Sequence, residues 1–120
     1  MAEYKQYITQ VLENGNVMIS EDVIAAIVTE TVAEIDGIEG LAVKPVAEFA
    51  DLIGKNWGKG MKIVINEDNS VDLDCNVLIK FGQSVIEVAT NAQQAITAAV
   101  ENSAAVKVNQ VNVNVCGIVR

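Results

Sequence analysis

Between residues 71 and 81 every second position is apolar. Val71, Leu73, Cys75, Val77, Ile79 and Phe81 alternate with Asp72, Asp74, Asn76, Leu78 and Lys80. A two-residue repeat turns successive side chains to opposite faces of an extended chain, so the stretch predicts a strand with one face in a core and a mostly polar other face. Three residues later the period changes. Ser84 and Glu87 have the spacing of a capping box, and Val85, Val88, Ala89, Ala92, Ala95, Ile96 and Ala99 follow as a broad apolar stripe at helical spacing. The small alanine side chains let such a helix lie close to a sheet.

The rest of the chain extends this pair. Asn14-Gly15 in "QVLENGNVMIS" separates two short apolar runs, the strongest two-residue signal for a hairpin. Ser20 precedes Glu21 and Asp22, an N-cap hydroxyl followed by carboxylates in a positive first turn. Ile24, Ile27, Val28, Thr31 and Ile35 continue at helical spacing, and Gly37 stands where a left-handed cap would close the helix. "MKIVIN" is β-prone and makes "EDNS" the loop of a second hairpin. After the second helix, Val106 and Val108 alternate with polar residues. The phase slips at Gln110 and resumes at Val111, Val113 and Val115, which predicts a bulge near Asn109-Gln110. The expected fold is α+β, one small two-layer sandwich over residues 1–120. Its order is β-hairpin, α, β-hairpin, α, β, with a mixed, mostly antiparallel sheet and two main helices on one face. An irregular connector at 41–60 contains Pro45, a short helix at 46–53 and three closing glycines.

Charge and residue usage exclude several functions. Eight basic against sixteen acidic residues give −8, the wrong sign for a general nucleic-acid binder or for adsorption to an anionic membrane. No apolar run approaches the roughly 20 residues of a membrane span. "MAEYKQYITQ" lacks the basic-then-apolar layout of a secretory signal, so a cytoplasmic location is expected. Two cysteines are too few for a disulfide framework, and the chain has no histidine, the commonest metal ligand and general base.

"GNVMISEDVIAAIVTETVAEIDGIEGLA", then "GKGMKIVI", a β-run, a helix and a closing "VNQVNVNVCGIV" together resemble the alkaline shock protein and general stress protein family of bacterial envelope stress response proteins. The resemblance runs from Gly15 onward. It implies a cytoplasmic, non-enzymatic protein tied to cell-envelope homeostasis, often held near the membrane through a partner and assembling with itself or with neighbouring proteins. It brings no catalytic motif and no cofactor.

Four groups of residues are candidates for chemistry. "NEDNSVDLD" crowds oxygen ligands into positions 66–74, but a calcium loop of the EF-hand kind needs a DxDxDG pattern between helices, and here strands flank a loop without the glycine. Turn chemistry is the favoured reading. Glu30 and Glu34 lie one helical turn apart, as acid/base or metal pairs do, yet no histidine or third ligand follows and a solvated stripe explains them better. Cys75 falls on the inward strand phase and Cys116 on the other, where an exposed thiol would be reactive only beside a base.

"GKNWGKG" is the candidate partner-binding loop. Trp57, the only tryptophan, stands between Lys55 and Lys59 on a glycine-rich stretch whose spacing is not that of a P-loop. Trp57 either anchors a partner or folds back to cap the core. Three functions follow: an interaction or scaffold protein with a protein partner, such as a membrane-anchored adaptor, and a homo-oligomeric state; a small-ligand or cation-binding module; or a regulatory subunit of a metabolic enzyme. The first is favoured.

Overall fold

A computed structural model of the chain describes residues 7–42 and 60–120. In chain order its elements are β1 (Tyr7–Leu12), β2 (Gly15–Ser20), α1 (Glu21–Glu34), β3 (Ile38–Leu41), β4 (Met61–Ile65), β5 (Val71–Lys80), α2 (Val85–Ala104) and β6 (Val108–Val119). The α+β sandwich expected from the sequence is the fold found. The alternating stretch forms β5, the spine of a four-stranded sheet. β6 runs parallel along one edge of it, while β4 and β3 lie antiparallel along the other, opposite residues 71–75 and 77–79. Parallel neighbours need a crossover, and α2 supplies it between β5 and β6. Val71, Leu73, Cys75, Val77 and Ile79 are fully buried, in one core cluster with Ile24, Val28 and Val32 of α1 and Val88, Ala92, Ile96 and Val100 of α2.

Several local expectations shift by a residue or two. The first hairpin turns at Glu13 and Asn14, with Leu12 opposite Gly15; Gly15 takes φ +138° as the first residue of β2. In α1 the buried face is Ile24, Ala25, Val28 and Val32. Thr31 instead spends its hydroxyl on the Ile27 carbonyl at 2.7 Å, the usual resolution for a threonine inside a helix. Ser20 caps α1 by accepting from the Asp22 N–H at 3.0 Å, as expected, but the helix stops at Glu34 and Ile35 is already extended. Gly37, at φ +94°, therefore lies beyond the helix end. A Cβ there would stand 2.8 Å from Val88 Cγ2, so the glycine also lets α1's exit approach α2. Phe81, assigned by phase to the core, lies just past β5 and is largely exposed.

The register between β5 and β6 slips twice. The first slip, between Val108 and Gln110, is the bulge expected from the sequence; the second, at Cys116 between Val115 and Gly117, is an addition. β3 is also an addition, since its four residues were assigned to the helix exit and the start of the connector. Ala42 donates its N–H to the Asn76 carbonyl (2.7 Å) and Asn76 donates to the Gly60 carbonyl (2.8 Å). β3 and β4 thus act as two halves of one edge strand, and the chain leaves and rejoins the sheet on one rung. Pro45, the short helix at 46–53 and the glycine loop lie outside the described residues.

Candidate interaction site

The acidic stretch that opens β5 is a tied turn. Asn69 adopts φ 68°, an excursion Asn tolerates, and its N–H reaches the Asn66 carbonyl at 3.0 Å. Asp68 Oδ1 accepts from the Ser70 N–H at 3.1 Å and from the Ser70 hydroxyl at 2.6 Å. These bonds hold the Asp68 carboxyl below its ordinary value, because they stabilise the charged form. Ser70 Oγ, buried, also accepts from Asn66 Nδ2 (3.1 Å) and Asn109 Nδ2 (2.7 Å). Asn69 Nδ2 donates to the Thr9 carbonyl at 3.1 Å, fastening the turn to β1. Asp72 and Asp74 project from β5 outside the turn, where they accept from Asn66 Nδ2 (3.3 Å) and Asn112 Nδ2 (2.9 Å). The polar side chains are spent on holding strands together. Among the described residues no group of three His, Cys, Asp or Glu could hold a metal ion.

Among the described residues neither the carboxylate pair nor the cysteines are joined to a further titratable group. Glu30 and Glu34 both face solvent on α1. Burial, and then the charge of Asp74, pushes the Cys75 thiol up to about 12. Cys116, partly buried in the second bulge, is also raised by burial, away from the thiolate a nucleophile needs. Trp57, Lys55 and Lys59, the binding candidates, lie outside the described residues.

What the structure does present is exposed apolar surface. The β1–β2 hairpin forms its own two-stranded sheet, attached at its base by Ile8, fully buried, and by Gln10 Nε2 donating to the Ala105 carbonyl at 2.9 Å. Beyond that base both faces are apolar and open. Leu12 and Val17 continue the face of Ile8 and Ile19, while Val11 (80% exposed) and Met18 (62%) lie on the opposite face. Phe81, Ile86 and Ile118 are exposed as well, and the Arg120 guanidinium lies 4.9 Å from the Phe81 ring centroid. Sequence reasoning missed these. Val11, Val17 and Met18 read as ordinary strand residues, and only the absence of any further layer among the described residues reveals them.

A family model for alkaline shock proteins, described as of cell envelope-related function, matches residues 9–120. Among curated proteins, the chain is 33% identical over 106 residues to the uncharacterized protein Spy1535 of Streptococcus pyogenes serotype M6, covering 88% of this chain and 80% of that protein. It is 29% identical over 105 residues to the uncharacterized protein YqhY of Bacillus subtilis, covering 87% and 77%. A second Streptococcus pyogenes protein, Spy1614, is 30% identical over 109 residues, covering 88% and 89%. No solved structure matches the chain.

Proposed function

Because the chain belongs to the alkaline shock protein family, whose function is cell envelope-related, we propose that it is a non-enzymatic interaction protein that works in the cytoplasm and reaches the envelope through a membrane-anchored protein partner. The observation that carries this reading is the β1–β2 hairpin. A two-stranded hairpin is at best marginal by itself, and one that holds Val11, Leu12, Val17 and Met18 in water on both faces retains surface that a partner would bury. The −8 charge argues for a protein partner over lipid, since each acidic group near an anionic leaflet opposes adsorption by up to about 1 kcal/mol. Among the described residues no helix is long and apolar enough to cross a membrane. Trp57, flanked by Lys55 and Lys59, is proposed as a second contact, and self-association as part of the same role.

Affinity capture from native membranes and from the soluble fraction tests the reading. The baits are the wild type, a Val11→Lys/Met18→Lys double variant and Trp57→Ala. A membrane-anchored partner held by the wild type and lost by the double variant is the expected result. One soluble metabolic enzyme returned equally by all three baits would contradict it and mark a regulatory subunit instead.

A further inference from the structure

Asn14 is the only asparagine in the chain followed by glycine. The fold sets this pair at the tip of the β1–β2 hairpin, where every residue from Val11 to Met18 is exposed. Nothing stands within 4 Å of where a Gly15 Cβ would be, and the bare α-carbon leaves the Gly15 backbone nitrogen free to approach the Asn14 side-chain carbonyl. The turn itself is loosely held. Glu13 and Asn14 form it and neither has a positive φ, whereas the primed turns that match the twist of a two-residue hairpin need one. Turns of the other hand splay the strands they join. Leu12 and Gly15 are the last pair of the ladder, so fraying of that one pair exposes the Gly15 amide. The two Asn-Ser pairs are held differently. At Asn69 the Ser70 N–H is given to Asp68 Oδ1 and the side-chain amide to the Thr9 carbonyl, each at 3.1 Å. Asn102 lies inside α2, where helical geometry keeps the Ser103 nitrogen in the backbone ladder.

We propose that Asn14 is a site of spontaneous deamidation, and that the modification ages the hairpin as a contact surface. The Gly15 backbone nitrogen gives its proton to solvent base and attacks Asn14 Cγ. A C–N bond forms there, the side-chain nitrogen takes a proton from water and leaves as ammonia, and a succinimide ring remains. A water molecule then opens the ring. Cleavage of the new bond gives aspartate on an unchanged backbone, and cleavage of the original peptide bond gives isoaspartate, whose backbone runs through Cβ and Cγ. The sum is an amide and water giving a carboxylic acid and ammonia, with no oxidant or reductant. Either product sets a carboxylate beside Glu13, within a few residues of the exposed Val11, Leu12, Val17 and Met18. A charge added to an apolar contact disrupts it through its desolvation cost and through repulsion from neighbouring carboxylates. Isoaspartate also lengthens the turn between Leu12 and Gly15. The effect on the contact rests on the interaction reading above, whereas the chemistry at Asn14 does not.

Ageing the purified chain tests both parts. Wild type and Asn14→Gln, whose longer side chain closes a ring far more slowly, are incubated in mildly alkaline and in mildly acidic buffer. Peptide mass mapping then locates each amide exchanged for a carboxylate, an isoaspartate methyltransferase reports the isomerised backbone, and far-UV circular dichroism reports the fold. Asn14 should be modified ahead of Asn69 and Asn102, faster in the alkaline buffer because the attacking nitrogen must lose its proton. The same samples are then bound to native membranes. Binding by the wild type should fall in proportion to its modified fraction, aged Asn14→Gln should bind as when fresh, and fresh Asn14→Asp should bind more weakly than fresh wild type. An Asn14 that stays intact, or that is modified no faster than Asn69 or Asn102, would overturn the site. Modified wild type that binds membranes as well as fresh protein would overturn the effect on the contact. Fresh wild type that binds no membranes would instead contradict the interaction reading, with the chemistry at Asn14 still decided by the mass map.

Discussion

Asn114 donates its side-chain amide to Oδ1 of Asn76 at 3.1 Å, joining β6 to β5 on the face of the sheet turned away from the helices. Asn76 is 2% exposed, and its own Nδ2 has no hydrogen-bond partner among the described residues. Its backbone meanwhile holds Ala42 on one bond and Gly60 on the other. One residue therefore ties three segments while carrying an unsatisfied buried donor.

Exchanging that donor for a charge should be costly. Asn76→Asp buries a carboxylate with Asp74 on the same strand face, and the expected loss is about 3 kcal/mol at pH 7. Asn76→Leu removes the orphan donor together with the acceptor of Asn114 and adds bulk at a buried site, and should cost less than Asn76→Asp. Urea unfolding of the two variants beside the wild type decides the matter.

The Asp68 turn sets a pH dependence. Its carboxyl titrates below the ordinary 3.8 in the folded chain, through the two bonds from Ser70. A carboxyl depressed by folding stabilises above its unfolded value, and that contribution disappears as pH falls through the folded value. Melting temperatures of the wild type and Asp68→Asn should differ by a constant amount from pH 7 to about 5, and the difference should shrink as pH falls below the ordinary carboxylate range. A difference that persists at acid pH would assign the turn's stability to something other than the charged form.

The apolar residues divide into core and contact surface. Ile96→Ala, at a fully buried position of α2, should cost about 2 to 5 kcal/mol in unfolding free energy. Ile86→Ser, ten residues earlier on the same helix and 74% exposed, should change stability by no more than about 0.5 kcal/mol. A large loss at Ile86 would show that its side chain is packed.

Thiol labelling should separate the cysteines. Cys75, fully buried and pushed up to about 12, should react with a thiol reagent at pH 8 only as the chain unfolds. Cys116, partly exposed and raised, should react in the native state but more slowly than a free thiol. Equal native rates at the two positions would contradict the burial of Cys75.

Where one residue's pattern decides its environment, the sequence was legible. The β5 alternation, the Ser20 and Ser84 caps, and the slip at Gln110 all follow from local chemistry, and each stands where it was expected. Residues whose surroundings are set by distant chain were not legible. Asn76 reads as a polar-face residue until Asn114, 38 positions on, and the two connector ends close over it. Phe81 reads as core until β5 ends one residue earlier. β3 was hidden because "GIEG" carries two glycines, and only its partner strand makes it extended. The candidate site divided likewise: the acidic turn was read correctly from its composition, whereas the exposed hairpin faces required knowing that no described layer covers them.

Envelope attachment through a protein, not lipid, is the central claim, and a membrane-binding assay tests it most directly. Purified chain would be floated with native membranes, with the same membranes after protease treatment, and with vesicles of pure anionic phospholipid. The expected result is binding to untreated membranes alone. Flotation with the anionic vesicles, or undiminished binding after protease treatment, would contradict it.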